Sequence, residues 1–180
     1  MLKSKKPVIS VCAVRTGCGK SQASRAIAKI LRGKGKKVII VRHPMPYGNL
    51  LKQKIQRFSS FDDFKKYNTT IEEQEEYEKH IENGFIVYAG VDYKEILNKA
   101  EKEADIILWD GGNNDFPFYK PNLNIVVADA LRPNHELTYY PGFINFLSAD
   151  IIIINKVNTA EKEDVKLVEK QIIQLLKMVE

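Results

Sequence analysis

Between Val8 and Leu31 runs the stretch VISVCAVRTGCGKSQASRAIAKIL, in which glycines at 17 and 19 are followed at once by Lys20 and Ser21. Glycine reaches backbone conformations closed to other residues. Gly17 and Gly19 therefore let successive N–H groups, from Thr16 through Cys18 to Gln22, converge on one phosphate. Lys20 adds a mobile positive charge. Ser21 falls in the first turn of the following helix, where its hydroxyl can bind Mg²⁺ and the unpaired N–H groups of the helix end attract an anion. The chemistry offered is the binding and transfer of a phosphoryl group.

An apolar strand directly before such a turn and an amphipathic helix directly after it are what a P-loop requires. The usual GxxxxGK[ST] spacing would put glycine at Val14, so the match lies in context more than in the full pattern. A metal-side carboxylate is expected at the tip of a neighbouring strand. Asp110, in ILWDGGNND, has that position, and Gly111 and Gly112 let the backbone pass close to a γ-phosphate. Asn113, Asn114 and Asp115 form a polar turn at the same edge. Lys20 and Asp110 are thus the expected catalytic pair, with Ser21 and Asp110 on the metal.

The segment IIIINKVNT resembles the end of a base-binding strand. In an NKxD motif, Asn and Lys frame the base and Asp accepts hydrogen bonds from guanine. Asn155 and Lys156 fit, while Asn158 stands at the aspartate position. An amide cannot replace a carboxylate that accepts two donors, so ATP and GTP both remain open as the nucleotide. Thr159 or Asn158 can cap the last helix at the same time. Asp129, Arg132 and His135 follow the fourth apolar run, and Arg42 and His43 follow the second. At the carboxyl edge of a parallel sheet they would suit a small substrate with several anionic groups.

The elements that must carry these residues are legible from apolar patterning. Five runs, Val8 to Val14, Val38 to Val41, Asp105 to Trp109, Leu123 to Ala128 and Ile151 to Ile154, have the length and β-branched content of strands buried on both faces. Helical segments are expected at Lys20 to Leu31, in pieces within Leu50 to Lys102, at Gly142 to Leu147 and at Ala160 to Val179. The alternation predicts a three-layer α/β domain with a mostly parallel sheet of five or more strands. Residues 43–104, far more than one crossover helix needs, read as a helical insertion opening on the turn HPMPYG. The acidic run Glu72 to Glu82 reads as a solvated helix face, and the basic stretch Arg32 to Lys37 as solvated too.

A chain of 180 residues with 44% apolar and 28% charged residues makes one compact domain. Its apolar runs are about a third of the ~20 residues that cross a bilayer. With no leader pattern a cytoplasmic location is expected, and Cys12 and Cys18 match neither a metal pair nor CxxC, so both should be free thiols. A net charge of +5 without aromatic interleaving favours an anionic ligand over nucleic acid.

Two resemblances emerge from these strings. VRTGCGKS resembles the deviant Walker A loop, GKGGxGK[ST], of the SIMIBI class of P-loop proteins. There a second lysine reaches the phosphates across a dimer interface, which implies that Arg15 is a guanidinium clamp and admits a homodimer. The alternative for Arg15 is a contact within its own loop. VRTGCGKSQASR, VRHPMPYGNL, VYAGVDY, DIILWDGGNNDFPFYKP, DALRPNHE and INKVNTA together resemble the nucleotide-binding part of the cyclic 2,3-diphosphoglycerate synthetase family, also described as predicted P-loop GTPases. Members of that family are more than twice this length, which implies an N-terminal domain of a longer architecture. The resemblance implies ATP-dependent closure of a phosphoanhydride ring in 2,3-diphosphoglycerate, with Gly17 to Ser21 on the triphosphate, Asp110 on magnesium, and Asn155 and Lys156 on the base. A regulatory GTPase, or a nucleotide-binding module that is inactive without a C-terminal portion, are the alternatives.

Overall fold

The structure, a computed structural model, describes residues 1–43, 49–111 and 115–179, with side chains to Leu175. The HPMPYG turn beyond His43, and Gly112, Asn113 and Asn114, lie outside the described residues. Among those described, no helix is long and apolar enough to cross a membrane.

The five apolar runs all form strands: β1 (Val8–Ala13), β2 (Val38–Arg42), β5 (Ile106–Asp110), β6 (Leu123–Asp129) and β7 (Ile151–Asn155). Two further strands, β3 (Gln56–Phe58) and β4 (Ile86–Ala89), complete a seven-stranded sheet ordered β3-β4-β2-β5-β1-β6-β7. Every neighbouring pair is parallel except β3 with β4. Helices α1 (Lys20–Gly33), α2 (Asp62–Tyr67), α3 (Ile71–Glu82), α4 (Tyr93–Glu103), α5 (His135–Thr138), α6 (Gly142–Leu147) and α7 (Lys162–Val179) form the connections.

Alternate residues of a strand point to opposite faces, and both faces are packed. Ile40 and Leu108 join one core with Ala28 of α1, Tyr77 and Ile81 of α3 and Val168 of α7. Ile39, Val41, Ile107 and Trp109 join a second core with Ile96, Leu97 and Ala100 of α4. The domain therefore has three layers.

Two expectations are corrected here. Residues 43–104 are not a wholly helical insertion, because β4 lies beside β2 in the parallel order and β3 closes that edge antiparallel. One oversized crossover is in fact two successive ones, and the four-residue strand between them is too short to stand out from its helical neighbours. The fifth run is not buried on both faces either. As the last strand in the order, β7 has Ile151 exposed and the rest half-buried.

Register lines up the carboxyl ends of the strands. Arg42 pairs with Asp110, Val11 with Asp110, and Asp129 with Asn155. Since β1 lies between β5 and β6, the loop it feeds is flanked by Asp110 on one side and Asp129 on the other.

Candidate functional site

The loop from Val14 to Gly19 leaves β1 with the Val14 amide still bonded to the Val127 carbonyl at 3.1 Å. Gly17 and Gly19 have φ of +84° and +94°, the left-handed conformation that L side chains rarely adopt. Space enforces the choice as well: a Cβ on Gly19 would lie 2.0 Å from Nδ2 of Asn155. Helix α1 starts at that glycine with no side-chain cap and no acidic residue in its first turn, so its end is left to an outside acceptor.

Three side chains hold the loop from behind. Arg132 donates to the Thr16 carbonyl at 3.3 Å, Lys156 to that of Gly17 at 2.6 Å, and Asn155 to that of Cys18 at 2.9 Å. A trans peptide directs its N–H opposite to its C=O, so drawing these carbonyls one way turns the amides of Gly17, Cys18 and Gly19 the other way. Lys156, itself at φ +63°, also meets buried Asp129 at 2.7 Å. Asn155 and Lys156 thus end on the loop, which is a different placement from the base contact expected of them. Ser21 is half-buried in the first turn of α1, and Gln22 beside it is exposed.

On the other side of the loop sits a charged centre with almost no solvent access. Asp110, 0% exposed, meets Lys20 Nζ with Oδ1 at 2.5 Å, and Arg42 Nη1 at 2.7 Å and His80 Nε2 at 3.0 Å with Oδ2. Burial opposes ionisation of Asp110, yet Arg42, Lys20 and His80 outweigh it and hold the carboxyl well below the usual carboxylate range. Arg42 also pairs with Glu76. With its side chain 5% exposed, Arg42 lies between Asp110 and Glu76, a different placement from the open substrate crevice expected of it. Cys12 nearby is pushed up to about 12, chiefly by burial, and burial raises Cys18 too. Both cysteines are free thiols.

The remaining expected residues divide into two places. His135 Nδ1 lies 2.6 Å from Arg15 Nη1, and the Arg15 guanidinium stands 4.8 Å from the centre of the Tyr139 ring. A guanidinium only donates, so Nδ1 of His135 accepts and its ring is neutral. Burial, then Arg15 and Arg132, lower the His135 pKa in keeping with this. His43 lies apart, 2.6 Å from Asp115. Hence Lys20, Arg42 and Asp110 form one group, Arg15, Asp129, Arg132, His135 and Lys156 another, and His43 a third.

Two site residues escape a sequence reading. Glu76 and His80 lie one turn apart on α3, within the run expected to be a solvated face, and His80 is 1% exposed. A half-hidden signal existed: Tyr77 and Ile81 share that side and are buried in the core.

No protein-family model matches the chain. A curated relative does. Over 172 residues the chain is 64% identical to arginine synthetase ArcE of Thermococcus kodakarensis, a segment that takes in 96% of this chain and 38% of the relative. The chain therefore spans well under half the length of that protein, and is homologous to one segment of a synthetase.

Could the site hold a magnesium nucleotide? Its loop offers amides and an uncapped helix end to phosphate, and Ser21 and Asp110 offer hard oxygen donors. Among the described residues no group of three or more His, Cys, Asp and Glu is placed to hold a metal alone. A magnesium ion carried on phosphates needs only one or two protein oxygens, so the donor set fits once Lys20 releases Oδ1 of Asp110.

Proposed function

We propose that this chain is the nucleotide-binding, phosphoryl-transferring part of an ATP-dependent synthetase, built on a P-loop. The observation that carries this is the loop of residues 16–19, with its carbonyls pulled to one side by Arg132, Lys156 and Asn155, its amides left to the opposite side, and an uncapped α1 directly after it. Lys20 would turn from Asp110 to the β- and γ-phosphates, and Ser21 and Asp110 would hold magnesium. Bound there, magnesium would offset charge on the transferred group. Lys20 stabilises the same charge without a covalent intermediate, because transfer of this kind needs positioning and electrostatics rather than a nucleophilic side chain. The base would lie beyond Asn155 and Lys156.

The acceptor is a small anionic substrate, held on the side of the loop where Arg15, Arg132 and His135 gather. The family resemblance favours 2,3-diphosphoglycerate. The relative's name favours an arginine-forming reaction; were the precursor a ureido group, phosphorylation would make its oxygen a leaving group and ammonia would supply the nitrogen that replaces it as phosphate departs. A regulatory GTPase is the second reading, favoured by Asn155 and Lys156 at the end of β7.

Lys20→Ala should abolish tight binding of a magnesium nucleoside triphosphate, read by calorimetric titration; unchanged affinity would overturn the site. Competition between ATP and GTP, followed by product analysis with 2,3-diphosphoglycerate and with a ureido amino acid plus ammonia, separates the readings. Phosphate release stimulated by one acceptor supports the synthetase and names its substrate. GTP-selective binding with no stimulation supports the switch.

A further inference from the structure

Asp110 has more nitrogen partners than a metal-side carboxylate needs, and they are not equivalent. Among the described residues Lys20 alone touches Oδ1, whereas Arg42 and His80 both converge on Oδ2. Lys20 sits on the loop side and has a second task on the phosphates. Arg42 and His80 have no such alternative: Arg42 is fixed by its strand position beside Asp110 and by Glu76, and His80 is buried on α3.

A carboxylate rotates readily about its terminal torsion, which is broad and two-fold, and an arginine fork prefers to take both oxygens at once. If Arg42 closed on Asp110 in that way, it would draw Oδ1 away from the loop. Two contacts oppose this. Glu76 holds Nη2 of Arg42 on its own side, and the nitrogen that meets Asp110 is Nη1, on Oδ2. The Nε2–H of His80 then donates to the same Oδ2, because an ionised carboxylate can only accept.

We propose that His80 is a positioning residue for Asp110: together with Arg42 it anchors Oδ2, so that Oδ1 is the one oxygen delivered to magnesium when Lys20 moves to the phosphates. This rests on the nucleotide-binding reading above, and it gives the segment between β2 and β4 a part in that site. Glu76 and His80, one helical turn apart, are its points of contact among the described residues, and the helix that carries them is seated by Tyr77 and Ile81 in the core.

The test is a fluorescence titration of a nucleoside triphosphate onto the chain at a series of magnesium concentrations, alongside thermal unfolding. Glutamine carries its amide nitrogen at about the reach of Nε2, whereas asparagine falls short of it. His80→Asn should raise the magnesium concentration needed for half-maximal tight binding by about tenfold, the loss typical when an orienting partner of a metal ligand is removed. It should leave magnesium-free nucleotide affinity unchanged, and His80→Gln should stay within about twofold of the native chain. Glu76→Ala, at a side chain 35% exposed, frees the Arg42 fork and should shift the magnesium requirement in the same direction; it decides the matter if His80→Asn does not fold. A folded His80→Asn chain with native magnesium dependence would overturn the proposal, as would equal impairment of the Asn and Gln variants. Absence of any magnesium-dependent binding by the unaltered chain would instead remove the nucleotide reading itself.

Discussion

The side-chain amide of Asn155 donates to the backbone carbonyl of Cys18 at 2.9 Å, tying the end of β7 to a loop 137 residues earlier. This bond does not contribute to the core, and its effect is on where the amides of the loop point. Asn155→Ala should leave the unfolding midpoint almost unchanged while weakening nucleoside triphosphate binding by about three- to tenfold, the equivalent of one ordinary hydrogen bond. Isothermal titration calorimetry against ATP and GTP checks this, and equal affinity in the variant would show that the loop holds its shape alone.

Asp110 is the only carboxylate that meets Lys20 among the described residues, and both are buried. Asp110→Asn would leave the ammonium without its counter-charge and deprive Arg42 of one of its two carboxylates. Stability should fall by about 3 kcal/mol, as when one partner of a buried ion pair is removed. Urea unfolding at pH 7 reads it; a loss below about 1 kcal/mol would mean that water reaches this centre in solution.

His135 should titrate below its ordinary value of 6.5, because burial, Arg15 and Arg132 all disfavour the imidazolium. As pH falls through 6.5 the unfolded chain takes up the proton first, so the folded state loses stability in the window just below that value. Protonation also removes the acceptor that Arg15 uses. Nuclear magnetic resonance of the imidazole protons gives the midpoint, and Arg15→Ala should move it upward. A midpoint at or above 6.5 in the native chain would show that the two side chains do not meet in solution.

At the far edge of the sheet, Arg57 of β3 holds Glu103 of α4 through two bonds of 2.9 and 2.8 Å, and Tyr88 shares the carboxylate. Hydrogen bonding from Arg57 comes first among the causes that bring Glu103 to about 2 from an ordinary 4.5. Its contribution is complete above 4.5 and is lost as pH falls toward 2. Because Arg57 is 36% exposed and water screens the pair, the contribution at neutral pH should be about 1 kcal/mol. Glu103→Gln should therefore be less stable than the native chain by that amount at pH 7 and nearly equal to it at pH 2.5, in parallel denaturant titrations.

What sequence alone determined is what local pattern can encode. A strand, a glycine turn and a helix lie together within Val8 to Leu31, so the loop and its lysine were readable without any distant contact, and the five β-branched runs marked the strand ends where Asp110, Asp129 and Asn155 emerge. β4 was not readable, since the four residues Ile86–Ala89 carry too little periodicity to separate a strand from a helix. Nor were Glu76 and His80: their spacing on α3 is that of any charged helix face, and only the docking of that helix through Tyr77 and Ile81 turns it toward Asp110. Likewise Asn155 and Lys156 were legible as polar residues at the end of β7, but the placement of β6 beside β1 and of β7 beside β6 decided that their side chains meet loop carbonyls. Chemistry that depends on neighbours in the chain is written in order; chemistry that depends on which elements pack together appears only once they have packed.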